Sequence, residues 1–167
     1  PRRTTPRTTT SRPSCAATGS GSVGTRGPVT DRDVEAFAAA RAHVLERIAG
    51  ACRRAGRAPD EVRLVAISKT VPAERLRAAV DAGFVVLGEN RVQEAAEKAP
   101  SLPGVEWHLV GHLQGNKAAK ALELFAEIES VDSVALATRL DRIAGERGRA
   151  RLPIWLQVNV DADPAKE

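Results

Sequence analysis

The chain has 167 residues, 43% of them hydrophobic and 28% charged, which suits a soluble single domain with a substantial core. No apolar run approaches the length needed to cross a bilayer, and Cys15 and Cys52 are too few for a disulfide framework or a zinc site, so a reducing cytoplasm is the simplest setting. The formal charge of +4 misleads about partners, because residues 1–30 contribute +5 through Arg2, Arg3, Arg7, Arg12 and Arg26, leaving residues 31–167 at −1.

Residues 1–30 are rich in Thr, Ser, Gly, Pro and Arg and hold almost nothing apolar, which predicts a disordered tail. An Arg-rich, acid-poor stretch suits a nucleic-acid arm or an organelle transit peptide. The lack of aromatics and of an amphipathic period favours a solvated extension or an upstream start of translation, and no nucleic-acid partner is expected. The chain begins at Pro1, contains no methionine and stops at Glu167 with no closing helix in view, so truncation at both ends is expected.

From Thr30 or Asp31, good N-caps with Asp33 and Glu35 in the first turn, a helix runs to about Gly56, with Pro59 enforcing the break. Its apolar positions, Val34, Phe37, Val44, Leu45, Ile48 and Cys52, recur at helical spacing; His43 lies inside it with no second ligand in reach and reads as structural or solvent-facing. An alternation follows. Strands are predicted over 62–68, 84–87, 105–111, 128–131 and 154–160, and helices over 72–82, 91–99, 116–124 and 133–147.

Such alternation implies parallel βαβ units with right-handed crossovers. An open doubly wound sheet and a (β/α)8 barrel compete. No Gly-x-Gly-x-x-Gly follows the first strand, which counts against a dinucleotide fold. A repeat of roughly 22–25 residues fits the first five strands of a barrel, with three further units of roughly 70–90 residues to come.

In such a barrel the chemistry sits at the C-terminal ends of strands. Those ends carry Ser68-Lys69, Gly88-Glu89-Asn90, Gly111-His112 with Gln114, Asp132-Ser133, and Asn159 with Asp161. Lys69 is the most reactive candidate: a lysine beside apolar walls loses hydration, which lowers its pKa and frees the amine for a carbonyl. The alternative is a lysine reaching to solvent at a strand end. His108 and His112 are four apart, but the residues between them read as strand and no Glu follows His108, so no metal site is expected. On a strand His108, Val110 and His112 share one face and Trp107, Leu109 and Gly111 the other, with one histidine satisfied inside and one at the rim.

Five segments in register carry a resemblance: VAISK with Thr70 and Pro72, the LGENRVQE segment 87–94, WHLVGHLQGNK over 107–117, SVDS over 130–133, and LQVNV over 156–160. Together they resemble the pyridoxal 5'-phosphate homeostasis proteins (the YggS/PROSC family), from about residue 33 to residue 167. The resemblance implies a single-domain (β/α)8 TIM barrel similar to the N-terminal domain of alanine racemase, of the fold-type III pyridoxal phosphate group. Here residues 31–167 form its N-terminal portion, with the C-terminal strands missing. It implies that Lys69 holds pyridoxal 5'-phosphate as a Schiff base and that Asn90 lines the cofactor, with His112 and Asn159 in matching segments at the mouth.

The implied function is intracellular cofactor homeostasis, by buffering or delivery to client pyridoxal phosphate-dependent apo-enzymes, in a cytoplasmic monomer without turnover. The alternative is an amino-acid racemase or decarboxylase on the same barrel, but the chain has no tyrosine to act as the racemase's second base. Arg91, Leu109 and Ala121 depart from residues usual in the family and read as repacking. Relatives hold the phosphate with segments after the late strands, so the 167-residue chain is expected to bind pyridoxal phosphate weakly or not at all.

Overall fold

The computed structural model describes residues 29–160; the readings for the Arg-rich tail and for Asp161 lie outside the described residues. Helix α1 (Asp31–Ala55) opens with a capping box in which the Thr30 side chain and Asp33 exchange hydrogen bonds. It ends in a Schellman turn: Gly56 takes φ 64°, and the Arg57 N–H reaches the Cys52 carbonyl at 3.0 Å. A single 3-10 turn, Pro59–Glu61, leads into the alternating part.

There the order is β1 (Ala66–Ile67), α2 (Ala73–Asp81), β2 (Val86–Glu89), α3 (Val92–Lys98), β3 (Glu106–Leu109), α4 (Ala118–Leu124), β4 (Glu127–Val131), α5 (Val134–Glu146) and β5 (Ile154–Leu156). All five expected strands and all five expected helices form, with shifted ends. The first strand is two residues long rather than seven, the third stops at Leu109, two residues before Gly111, and the last stops at Leu156. Helix α2 closes on Gly83 at φ 90°, which turns the chain into β2. The Ser133 hydroxyl caps α5 by accepting from the Leu136 N–H at 3.3 Å.

The strands lie in one parallel sheet in the order β1-β2-β3-β4-β5. This order decides between the two candidate architectures. A doubly wound sheet reverses direction at a switch point and places helices on both faces. Here no reversal occurs, so crossovers of one hand put the helices on one face, as in a barrel. Burial agrees: Leu87, Trp107, Leu109, Ile128 and Val131 of the sheet share one core with Leu76, Val92, Leu122, Leu136 and Leu140 of the helices. The chain is therefore α/β with a parallel five-stranded sheet of TIM-barrel-like winding.

The register sets what the other face carries. Ile67 pairs with Gly88, Gly88 with His108, and His108 with Glu127, so these residues lie in one row. Gly88 has a packing reason: a Cβ there would sit 2.8 Å from Ile67 Cδ1 and 3.2 Å from Val65 and Val110 methyls. Among the described residues no helix is long and apolar enough to cross a membrane.

Candidate functional site

The residues that follow the strands occupy one edge of the sheet. After β1 the Val71 N–H donates to the Ser68 carbonyl at 3.1 Å, closing a four-residue turn with Lys69 second and Thr70 third. Thr70 takes φ 64°. A positive φ at the third position marks a type II turn, where Gly or Asn is usual. A β-branched residue there is strained, at a cost of about 1–3 kcal/mol.

Lys69 is exposed and makes no hydrogen bond or ion pair among the described residues. It therefore stands on a turn just past the strand, in water, and the expected apolar walls are not built by the described residues. The physical reason is that β1 is short and borders the sheet, so only β2 lies beside the turn.

The turn is held from the helix side. Ser68 is 1% exposed, and its Oγ lies 2.9 Å from Glu89 Oε1 and 3.1 Å from the Gly88 carbonyl. The Lys98 ammonium, at the end of α3, donates to the Ser68 carbonyl at 3.0 Å and pairs with Glu89, which is fully buried. Glu94 Oε2 is 3.8 Å from the same ammonium and 3.5 Å from the Thr70 N–H.

Asn90 follows β2, half-buried, and its N–H donates to Glu89 Oε2 at 3.2 Å. The loop after β3 passes close over it. A Cβ on Gly111 would lie 2.4 Å from the Asn90 carbonyl oxygen and 2.7 Å from its Cα, so only glycine permits the approach. Ser130 Oγ donates to the Gly111 carbonyl at 2.6 Å and fixes the loop from β4. Asn90 and His112 thereby line one cleft of about 380 Å³, together with Arg91, Gln93, Gln114 and Lys117. His112 is exposed, with Nδ1 2.8 Å from Asp132 Oδ2. Asn159 is half-buried beyond β5. Neither Lys69 nor Asn159 lines that cleft; they follow the two border strands of the sheet.

Deeper on the same face a charged row crosses the sheet. His108, 1% exposed, has Nδ1 2.7 Å from Glu129 Oε1 and Nε2 3.2 Å from Glu106 Oε1 and 3.7 Å from Glu127 Oε2. Arg63 pairs with Glu106 and stands 3.9 Å from Glu127, and the Trp155 indole donates to Glu127. Burial alone would raise the Glu106 pKa, but the hydrogen bonds and charges of Arg63 and His108 outweigh it and hold the carboxyl below its ordinary value. Among the described residues no group of three or more His, Cys, Asp or Glu is arranged to hold a metal ion.

Two groups escaped the sequence reading. The Glu89–Glu94–Lys98 network was missed although Glu94 and Lys98 stand at the i,i+4 spacing that signals a helical ion pair. Of the carboxylates around His108, Glu106 stands two residues back on the same strand, whereas Glu127 and Glu129 come from β4 and had no local signal.

No family model matches the chain. A pyridoxal phosphate homeostasis protein of Escherichia coli (strain K12) is 37% identical over 133 residues, which cover 75% of this chain and 55% of that protein. Two solved structures of PipY from Synechococcus elongatus PCC7942 resemble it. The one without pyridoxal phosphate has a TM-score of 0.58 at 51% identity, covering 72% of this chain and 55% of that one. The one with pyridoxal phosphate bound has a TM-score of 0.58 at 48% identity, covering 73% and 59%. The chain spans about half the length of the curated relatives it matches. With the parallel sheet, its singly wound helices and the polar strand ends already in view, these likenesses agree: over about half of those proteins' length, the chain is similar to the pyridoxal phosphate homeostasis proteins.

Proposed function

We propose that this protein binds pyridoxal 5'-phosphate on Lys69 and serves intracellular cofactor homeostasis, buffering the cofactor or passing it to client apo-enzymes without turnover of its own. The fold is read as a fold-type III barrel, with residues 31–167 as its N-terminal portion after a tail at 1–30, and the protein as a cytoplasmic monomer. One observation carries the reading. Lys69 offers a primary amine with no partner among the described residues, on a defined turn beside Asn90, in a chain similar to PipY, whose structure holds pyridoxal phosphate.

The residues present suit that group. When bound, it supplies an aldehyde carbon that condenses with a primary amine, with loss of one water. Lys69 supplies the amine. Asn90 and His112 supply a neutral amide and an imidazole to the polar edge of a flat heteroaromatic ring. Gly111 keeps the cradle open, since a Cβ there would displace Asn90. Asn159 is read as a further cofactor contact on the far strand.

The test is spectroscopic. Pyridoxal phosphate added to the full-length protein should give an absorbance band that borohydride reduction converts to a stable adduct, mapped by peptide mass to Lys69. The adduct should vanish in Lys69→Ala. Retention of the adduct in that variant would overturn the assignment, and amino-acid turnover lost with Lys69 would replace homeostasis by a racemase or decarboxylase.

A further inference from the structure

The turn that carries Lys69 is strained and yet closed. Thr70, β-branched, sits at φ 64° where a residue without a Cβ would sit without cost. Strain of this kind persists only where the surroundings over-determine the conformation. The surroundings here are charged and dry. The Lys98 ammonium, with a side chain 12% exposed, donates to the Ser68 carbonyl, the same oxygen that accepts the turn-closing Val71 N–H. Glu89, with no exposed surface, pairs with that ammonium, contacts the Ser68 hydroxyl and accepts from the Asn90 N–H.

One buried ion pair therefore touches the backbone just before Lys69 and the backbone of Asn90. A buried pair is a costly way to stabilise a fold, since well-packed apolar residues often do as well. Its use is better understood as fixing a geometry.

We propose that Lys98 and Glu89 are positioning residues: from behind the sheet they hold the strained 68–71 turn, and so set where the Lys69 amine stands relative to Asn90. Glu94 adds to the hold through Lys98 and the Thr70 N–H. Neither Lys98 nor Glu89 touches the cofactor in this account. The inference rests on Lys69 being the attachment point.

Two readouts test it. In the ligand-free protein, Lys98→Met should raise the hydrogen-exchange rate of the Val71 amide about tenfold, the scale of strain released at one residue. With pyridoxal phosphate, borohydride trapping on Lys69 should slow by a similar factor in the same variant. Thr70→Gly added to Lys98→Met should restore trapping to near the native rate, because glycine holds the positive φ unaided. General destabilisation would not be repaired by one turn residue.

Lys98→Met leaves Glu89 buried without its counter-charge, so the neutral pair Glu89→Gln with Lys98→Met serves where the single variant does not fold. Native trapping and native Val71 protection in either folded variant would overturn the inference alone. Absence of any adduct on Lys69 in the unaltered protein would sink the cofactor reading, and this inference with it.

Discussion

Toward the helices the sheet presents Leu87, Trp107, Leu109, Ile128 and Val131, all nearly fully buried, whereas the opposite face carries Glu106, His108, Glu127 and Glu129, with Arg63 beside them. The same strands thus face two solvents. On the helix side the driving force is non-directional burial, worth about 1.5–3 kcal/mol for each large side chain, and any well-fitting apolar residue serves. On the other side charges hold one another, and only particular angles and distances satisfy them. Stability is concentrated on the first face and specificity of geometry on the second, at whose rim stand the groups read as binding the cofactor.

Four measurements break or sharpen that contrast. Leu109→Ala, a deletion in the centre of the apolar face, should lower stability by about 3–4 kcal/mol. A urea titration should show a lower midpoint at unchanged slope. A change below 1 kcal/mol would mean that the helix side is not the main source of stability.

Gly111→Ala lies at the rim, where a new Cβ meets backbone rather than a yielding side chain. It should cost about 2–3 kcal/mol and also weaken borohydride trapping on Lys69 by displacing Asn90. Gly88→Ala meets mainly side-chain ends, Ile67, Val65 and Val110, and should be milder. Equal effects would erase the distinction between a rim and a packed layer.

His108→Leu removes the buried imidazole from between Glu106, Glu127 and Glu129. Those carboxylates retain access to water, which softens the loss, so thermal unfolding should report about 1–2 kcal/mol. A gain in stability would show the charged row to be a cost borne by the fold.

The smallest effect is on pH. Glu106 is held below its ordinary value of 4.5 in the folded state, so the unfolded chain binds more protons as acid is added. Its contribution is fully present above the unfolded pKa and is lost as pH falls through the folded one. The unfolding temperature should therefore drop as pH passes below about 4.5, and Arg63→Met should flatten part of that slope.

Much of this was legible beforehand. Helical periodicity and the turn residues Gly56 and Pro59 marked elements that then formed with shifted ends. The places of Asn90 and His112 just past strand ends were legible because a strand end is visible in the sequence. Strand lengths were not, because a strand is defined by its partner: residues 62–65 alternate correctly but have no ladder on β2. Nor were the surroundings of His108 and Ser68, which depend on register and on Lys98 coming 30 residues later to meet Ser68. The environment of Lys69 was misjudged for the same reason. Apolar neighbours in sequence were taken for walls, but β1 is short and among the described residues pairs only with β2.

The order of the strands has a consequence for how the molecule assembles. Among the described residues each strand docks on the one made just before it, across a single helix, so none of these pairings waits for a distant segment. Closing such short loops is cheap, and topologies built from them fold quickly. A chain emerging from the ribosome can add one strand and helix at a time to a growing template, with β2 and β3 at its centre. Within this sheet the pair that bears Asn90 and His108 has a strand on either side and should be the last to open.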